Sequence, residues 1–518
     1  MNRKDALKHI QDVPEWDVVV IGGGATGMGA AVDAAARGFK TLLLEQDDFA
    51  KATSSRSTKL SHGGVRYLEQ GNISLVYGAL HERGRMIRNA PHLVHPLKFV
   101  IPAYRWWELP FYGIGLMVYD LLAGKLTLGR SRILSRAKTI EMLPTVKTEG
   151  LRGGVLYTDG QFDDARMVVT LARTLIDLGG TALNYMRVSG LIKEEGKVAG
   201  VTVKDVESGT EFKIKARGVL NATGIFSDTM RKSDDPAVKP MLSVSQGTHI
   251  VLDRSFLPGD SALMIPKTED GRVLFAVPWH SHVLVGTTDM PMDQPLLEPR
   301  ALAEEKEFLL HHTRKYLSKP LEERDILSIF SGLRPLVKHG DTKNTAALSR
   351  DHTVEVSPSN LVTITGGKWT TYRHMGEDAV DHLIKAAGLE PKESRTKELH
   401  LHGWMEPGPD DHANMYGTDY QELTKLAAAD PQLKKLLHPR LAYQEVEVVW
   451  AVRHDMARTV EDVLARRTRA LLLDARASME AAPRVAELIA AELGKDGQWQ
   501  KEEVARYEQL AKGYIYSN

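Results

Sequence analysis

"WDVVVIGGGATGMGAAVDAAARGFKTLLLEQ", residues Trp16 to Gln46, reads as a strand, a tight turn, an alanine-rich helix and a second strand. Asp17 to Ile21 is a short valine-rich apolar run, the pattern of a central parallel strand covered on both faces. Gly22, Gly24 and Gly27 then form G-x-G-x-x-G. The first glycine permits the turn, the second lets backbone N–H groups approach a pyrophosphate, and the third lets helix and strand pack closely. Glu45 closes the second strand about twenty residues on, where a carboxylate can hold a ribose hydroxyl. A glycine-rich turn alone is a weak signal. With strand, helix and acid all in place, the unit predicts an α/β, Rossmann-like dinucleotide-binding domain.

The rest of the chain sets the bounds. Its 518 residues, 42% of them hydrophobic, suit two to four domains at about 150 residues each. Lys+Arg and Asp+Glu both total 67, so no global charge argues for a nucleic-acid partner. There is no cysteine, which excludes disulfides, thiolate metal sites and cysteine nucleophiles; no metal site is expected. The start, "MNRKDALKHIQDVPEW", has no apolar core of the signal-peptide kind, so the expected compartment is the cytoplasm. The most apolar region, Ile101 to Gly124, is interrupted by Arg105, Glu108 and Asp120 and is not expected to cross a bilayer. The run "KLTLGRSRILSRAK" follows it, with five basic residues and no acid. Aromatics beside a basic run suit an interfacial anchor on anionic lipid; a buried helix followed by a solvated loop would read the same way.

NAD and FAD share the first half-site, so the choice between them rests on three later stretches. "GVLNATGIFSD", Gly218 to Asp228, ends a strand in small residues, among them Ala222 and Gly224, that let a cofactor surface lie against the backbone. "SGLRPL" sets Arg334 between a leucine and a proline. "TITGGKWTTYRHMGEDAVDHLI" runs from a strand through Gly366 and Gly367, past Lys368 and Thr370, into a helix. Free N–H groups and a positive helix end could there face an electron-rich ring edge, such as the N1–C2=O edge of a flavin.

With "TSSRSTKLSHGGVRYLEQG", "NATG", "GTTD", "SGLRPL" and "GGKWTTYR" in this order, the chain closely resembles the FAD-dependent glycerol-3-phosphate dehydrogenases from about residue 15 to about residue 510. Related amine and hydroxy-acid oxidases share the glycine turn but not this set of basic motifs. The resemblance implies an FAD-binding domain of the glutathione-reductase and D-amino-acid-oxidase type, an interleaved β-sheet substrate domain and a C-terminal helical cap. The expected division is 15–79, 151–235 and 325–390 for FAD, 80–150 and 236–324 for substrate, and 391–518 for the cap. In the cap, Val449, Val452, Met456, Val460 and Val463 recur at helical spacing as one apolar face. The cluster Arg466, Arg467 and Arg469 reads as a solvated or lipid-facing surface.

The resemblance also implies site residues. Non-covalent FAD is expected on Gly22, Gly24, Gly27, Glu45, Ser54, Ser55, Lys59, Ser61, Gly63, Ala222, Gly224, Gly367, Lys368 and Thr370, with His62 as a neighbour. For glycerol 3-phosphate, Arg66 and Tyr67, with Arg350 as a further candidate, would meet the phosphate, since arginine forks fix both charge and orientation. His249 is the expected proton acceptor, Arg334 would orient the hydroxyl, and Lys368 would stabilise reduced flavin or share the proton. A quinone is the expected acceptor, because oxygen-using glycerol-phosphate oxidases carry an insertion for which this chain has no room. Peripheral attachment to the inner face of the cytoplasmic membrane is expected, and a homodimer is left open. The competing readings are an oxidase using oxygen, an FAD enzyme for another small anionic amino or hydroxy acid, and a non-catalytic lipid-handling or escort protein on the same fold.

Overall fold

Val18, Val19 and Val20 are fully buried in the strand Trp16–Ile21, which lies at the centre of a sheet because both its neighbours are parallel. The structure, a computed structural model, describes residues 3–69, 71–269, 271–338 and 351–517, apart from the side chains of Arg66, Glu69 and Asp411. The strand order is His352–Val356, Val362–Gly366, Glu211–Asn221, Trp16–Ile21, Thr41–Leu44, Thr181–Leu183, parallel throughout except for the first pair. This is the expected α/β nucleotide-binding sheet, with an antiparallel extension through Met186–Glu194 and Lys197–Asp205. The helix Ala25–Ala36 follows the glycine turn, and its small residues bring it against the helix Tyr372–Ala386. At the crossing, a Cβ on Gly376 would fall 2.5 Å from the carbonyl carbon of Gly29.

A second sheet has ten strands among the described residues. Its longest pair is Leu242–Asp253 against Ile326–Val337, in a register that sets His249 opposite Phe330 and Ser245 opposite Arg334. The expected segment boundaries are corrected here. Gly153–Phe162 and Ile326–Val337 fall in the expected FAD segments, yet both belong to this second sheet, and so does Leu60–Ser61. Their alternating or continuous apolar patterns suit either sheet, and only the pairing partner decides.

The C-terminal part is helical, with its own apolar core around Val446, Val449, Val460, Val463, Leu471 and Ile489. The expected continuous stripe is broken. The helix Glu445–His454 ends before Met456, which sits at φ +55°, and Val463 lies in a separate wide turn, Asp462–Arg467. The expectation for the arginine cluster is also overturned, since Arg466, Arg467 and Arg469 are buried. Asp48, at the end of the nucleotide motif, receives Arg466 Nε at 2.5 Å and Arg467 Nη1 at 2.7 Å, while Arg469 Nη2 reaches Asp164 at 2.9 Å. Burial alone would raise the Asp48 pKa, but the two guanidiniums outweigh it and hold the carboxyl well below its usual range. These ion pairs join the cap to the nucleotide-binding sheet.

Candidate active site

Gly22 lies at φ +113°, in the region that favours glycine, and a Cβ there would come 2.5 Å from the carbonyl oxygen of Ala222. Gly27 has no room for a Cβ against Gly22, and Gly24 is the N-cap of the helix Ala25–Ala36. Ser54 Oγ accepts the Ala25 N–H at 2.9 Å and so ties the "TSS" loop to the helix start. The Glu45 carboxylate accepts from Gly23 N at 2.6 Å and Asp47 N at 2.9 Å. Burial pushes its pKa up to about 7 against the pull of those two donors. Gly22, Gly24, Glu45 and Ser54 border a cavity of about 480 Å³, together with Ala222, Gly224 and Gly367. Arg187 and Val188 line it too; no motif marks them, and the sole sequence signal was a strand next in line after the Thr181–Leu183 edge.

A second cavity of about 530 Å³ shares Thr53, Pro335, Gly367, Lys368 and Trp369 with the first, so the two are continuous. Gly366 and Gly367, at φ +81° and +75°, turn the chain from the strand Val362–Gly366 into the helix Tyr372–Ala386. At Gly367 a Cβ would fall 2.5 Å from Met375 Sδ. The turn is pinned to the Thr53–Gly64 loop: Trp369 Nε1 donates to Ser54 O at 3.0 Å, and Thr370 Oγ1 accepts from His62 N at 3.1 Å. Lys368 Nζ sits 3.9 Å from the centre of the Tyr67 ring, a cation–π contact that keeps the ammonium at the junction of the two cavities.

His249 and Arg334 reach the second cavity from paired strands. The imidazole is 2% exposed, stacks on Phe330 at 5.0 Å and has Nε2 2.9 Å from Thr58 Oγ1. Burial, then Arg334, then Lys59 hold its pKa well below the usual histidine value, so the ring is neutral. Nδ1 has no hydrogen-bond partner among the described residues. Arg334 is held by Thr287 Oγ1 at 3.0 Å and Thr288 O at 3.2 Å, with Asp289 at 3.5 Å. Arg272, which no motif singled out, also lines this cavity, as does Tyr67.

Five expected cofactor residues border neither cavity: Gly27, packed inside the turn against Gly22, and Lys59, Ser55, Gly63 and Ser61. Lys59 is buried on Asp164, 2.7 Å from Oδ2 and 2.7 Å from Ser55 O, and burial pushes its pKa down to about 7 against the carboxylate. It supports the loop and the cap from behind. Ser55 bonds Ala52 O within its own turn, and Gly63 N donates to Tyr119 Oη at 2.7 Å. Ser61 Oγ is buried without a hydrogen-bond partner among the described residues. The Arg66 side chain and all of Arg350 lie outside the described residues; Arg66 is placed only by its backbone in the short helix Val65–Glu69.

The family model described as FAD dependent oxidoreductase matches residues 17–382. The mouse mitochondrial glycerol-3-phosphate dehydrogenase is 41% identical over 95% of this chain and 72% of its own length. The chain belongs to this family, the FAD-dependent glycerol-3-phosphate dehydrogenases. The human mitochondrial enzyme is 39% identical over 99% of the chain and 75% of its own length. A second model, the C-terminal domain of alpha-glycerophosphate oxidase, matches residues 361–503. Among solved structures, the glycerol-3-phosphate dehydrogenase from Bacillus halodurans complexed with FAD superposes with a TM-score of 0.81 at 28% identity, covering 99% of this chain and 98% of that one. The resemblance, the fold class and FAD as cofactor are thereby borne out. The residues fit the cofactor: the glycine turn leaves backbone where side chains would intrude, Glu45 is fixed at the strand end, and the two joined cavities run from it to Lys368.

Proposed function

We propose that this site oxidises sn-glycerol 3-phosphate to dihydroxyacetone phosphate and that the electrons pass on to a membrane quinone. The observation that carries the reading is a neutral, buried His249 facing the cavity that also holds Arg334, Tyr67 and Lys368 and opens onto the nucleotide cavity. Bound FAD supplies the two-electron acceptor for the hydride that leaves C2. His249 accepts the C2 hydroxyl proton; being neutral, its ring has one nitrogen with a lone pair in the ring plane, and the bond between Nε2 and Thr58 Oγ1 fixes its orientation. Arg334 cannot serve as a base, and orients the hydroxyl oxygen from a position set by Thr287 and Thr288. Arg66 and Tyr67 bind the phosphate, with Arg350 as a further candidate, and Arg272 adds a fourth cation or donor on the same cavity. Lys368 places positive charge where the two cavities meet and offsets the charge of reduced cofactor.

Quinone as acceptor is supported by the surface. No helix among the described residues is long and apolar enough to cross a membrane. The helix Glu108–Ala123 buries Leu116 and Tyr119 but exposes Phe111, Ile114 (64%), Met117 and Leu121 (79%), beside Trp106 (74%) and Ile133. Arg130, Arg132 and Arg136 follow, all exposed. An apolar face rimmed by arginines suits shallow insertion into an anionic membrane, on the inner face of the cytoplasmic membrane in this reading. The oxidase-type match of the C-terminal segment keeps oxygen as the second acceptor to test.

The test is anaerobic. Yellow, FAD-loaded protein should bleach with glycerol 3-phosphate and recover its colour far faster with a soluble quinone analogue than with air. Bleaching that is equally fast with an amino acid or hydroxy acid would reject the substrate. Faster recovery in air would reject the quinone.

A further inference from the structure

We infer that Glu269, His311 and His312 form a binding site for a borderline divalent cation of the zinc type, outside the redox centre. Their ligand atoms all lie within 4.8 Å of one another, and none of the three residues lines either cavity of the active site. His311 and His312 belong to the helix Ala303–Tyr316, and Glu269 belongs to the loop after the strand Ser261–Ile265. His311 Nε2 is 3.1 Å from Glu269 Oε2, so one imidazole and the carboxylate already face each other.

The independent observation is His312. It is 4% exposed, and its Nδ1 lies 2.9 Å from the Phe308 carbonyl oxygen. A carbonyl only accepts, so Nδ1 carries the proton and Nε2 is left with its lone pair. That Nε2 is buried and has no hydrogen-bond partner among the described residues. A buried acceptor left open costs free energy unless something fills it, and an imidazole locked through Nδ1–H onto a backbone carbonyl is the usual preparation of a metal ligand. The two rings meet in a T-shaped contact, 4.9 Å between centres at 85°.

Two imidazoles and one carboxylate select Zn²⁺, Co²⁺ or Ni²⁺ over the oxygen-seeking Mg²⁺ and Ca²⁺. Three protein ligands leave the fourth tetrahedral position to water or a small anion. Glu269 is also paired with Lys315 through its other oxygen. Both side chains are exposed, and an exposed pair of this kind is weak enough for a cation to displace the ammonium. Gly271, Arg272 and Val273, close after Glu269 in the sequence, all stand on the wall of the substrate cavity. A cation bound here therefore ties that wall to the helix.

The test is calorimetric titration of FAD-loaded full-length protein with zinc chloride, with magnesium chloride as control. One zinc site with micromolar or tighter affinity is expected, with no comparable response to magnesium. His311→Ala and Glu269→Gln are exposed substitutions that should fold normally, and each should weaken zinc binding at least tenfold. Cobalt substitution adds a direct signature, tetrahedral d–d absorption to the red of the flavin bands, lost in both variants. Absence of a micromolar site in wild type overturns the assignment. So does a site of unchanged affinity in both variants, which would place the zinc elsewhere.

Discussion

Replacing His249 by glutamine separates proton transfer from binding. The ring has little freedom: it stacks on Phe330, meets Thr58 at 2.9 Å, and would lie 2.8 Å through its Nε2 from a Cβ on Gly286. Glutamine keeps a partner for Thr58 but offers no basic nitrogen. A positioned proton acceptor contributes ~100- to 10,000-fold, which at about 1.4 kcal/mol per factor of ten is roughly 2.8 to 5.6 kcal/mol of barrier. Flavin reduction at saturating glycerol 3-phosphate should slow by that range, while the substrate concentration giving half-maximal rate changes only a few-fold. The same burial has a signature in stability. The unfolded histidine titrates near about 6.5, whereas folded His249 titrates well below. Below about pH 6.5 the unfolded chain therefore binds a proton that the folded one does not, and stability falls as pH falls, by about 1.4 kcal/mol per pH unit for each such group. His92, pushed down to about 4 by burial, adds to the slope. Denaturant titrations of substrate-free protein between pH 7 and 5 should show a shallower acid loss in the variant than in wild type. Reduction within tenfold of wild type would move the proton acceptor elsewhere, and equal slopes would refute the buried neutral imidazole.

Gly22→Ala should yield folded protein that is largely colourless after purification, because the new methyl meets Ala222 O and the φ of +113° becomes strained; normal flavin content would displace the cofactor from this turn. Arg66→Ala should raise KM about 10- to 150-fold, the worth of a charged hydrogen bond of roughly 1.5 to 3 kcal/mol, with little change in kcat, and should leave the poor turnover of phosphate-free glycerol as it is; loss of reduction at saturation would assign Arg66 to the chemistry. Asp48→Asn leaves Arg466 on Asp462 and Glu461 but takes from buried Arg467 its carboxylate partner, and should cost about 3 to 5 kcal/mol in urea unfolding, against less than about 1 for an exposed pair such as Lys138 and Glu141. Ile114→Asp with Leu121→Asp should abolish binding to anionic vesicles yet spare anaerobic flavin reduction; unchanged binding would move the membrane contact to another face.

The sequence reading succeeded where chemistry is local. The turn from Gly22 to Gly27, the acid at Glu45 and the Gly366–Gly367 entry to a helix each lie within one short segment, and each stands where its motif set it. The reading failed where the partner is distant. Arg466 and Arg467 look solvated until Asp48 arrives from more than 400 positions away, and Lys59 looks like a cofactor ligand until Asp164 takes it. Gly153–Phe162 has no pattern that names its sheet; its pairing with Val94–Ala103 does. Arg272 and Arg187 belong to no motif, and only the folding of strands around the cavities brings them in.

The central claim is that hydride leaves C2 of glycerol 3-phosphate at this site. Anaerobic single-turnover reduction of FAD-loaded protein by glycerol 3-phosphate deuterated at C2 tests it most directly. Bleaching should be several-fold slower than with the protiated substrate and should release one dihydroxyacetone phosphate per flavin reduced. Bleaching at the same rate with both substrates, or a product other than the ketone phosphate, would contradict the account.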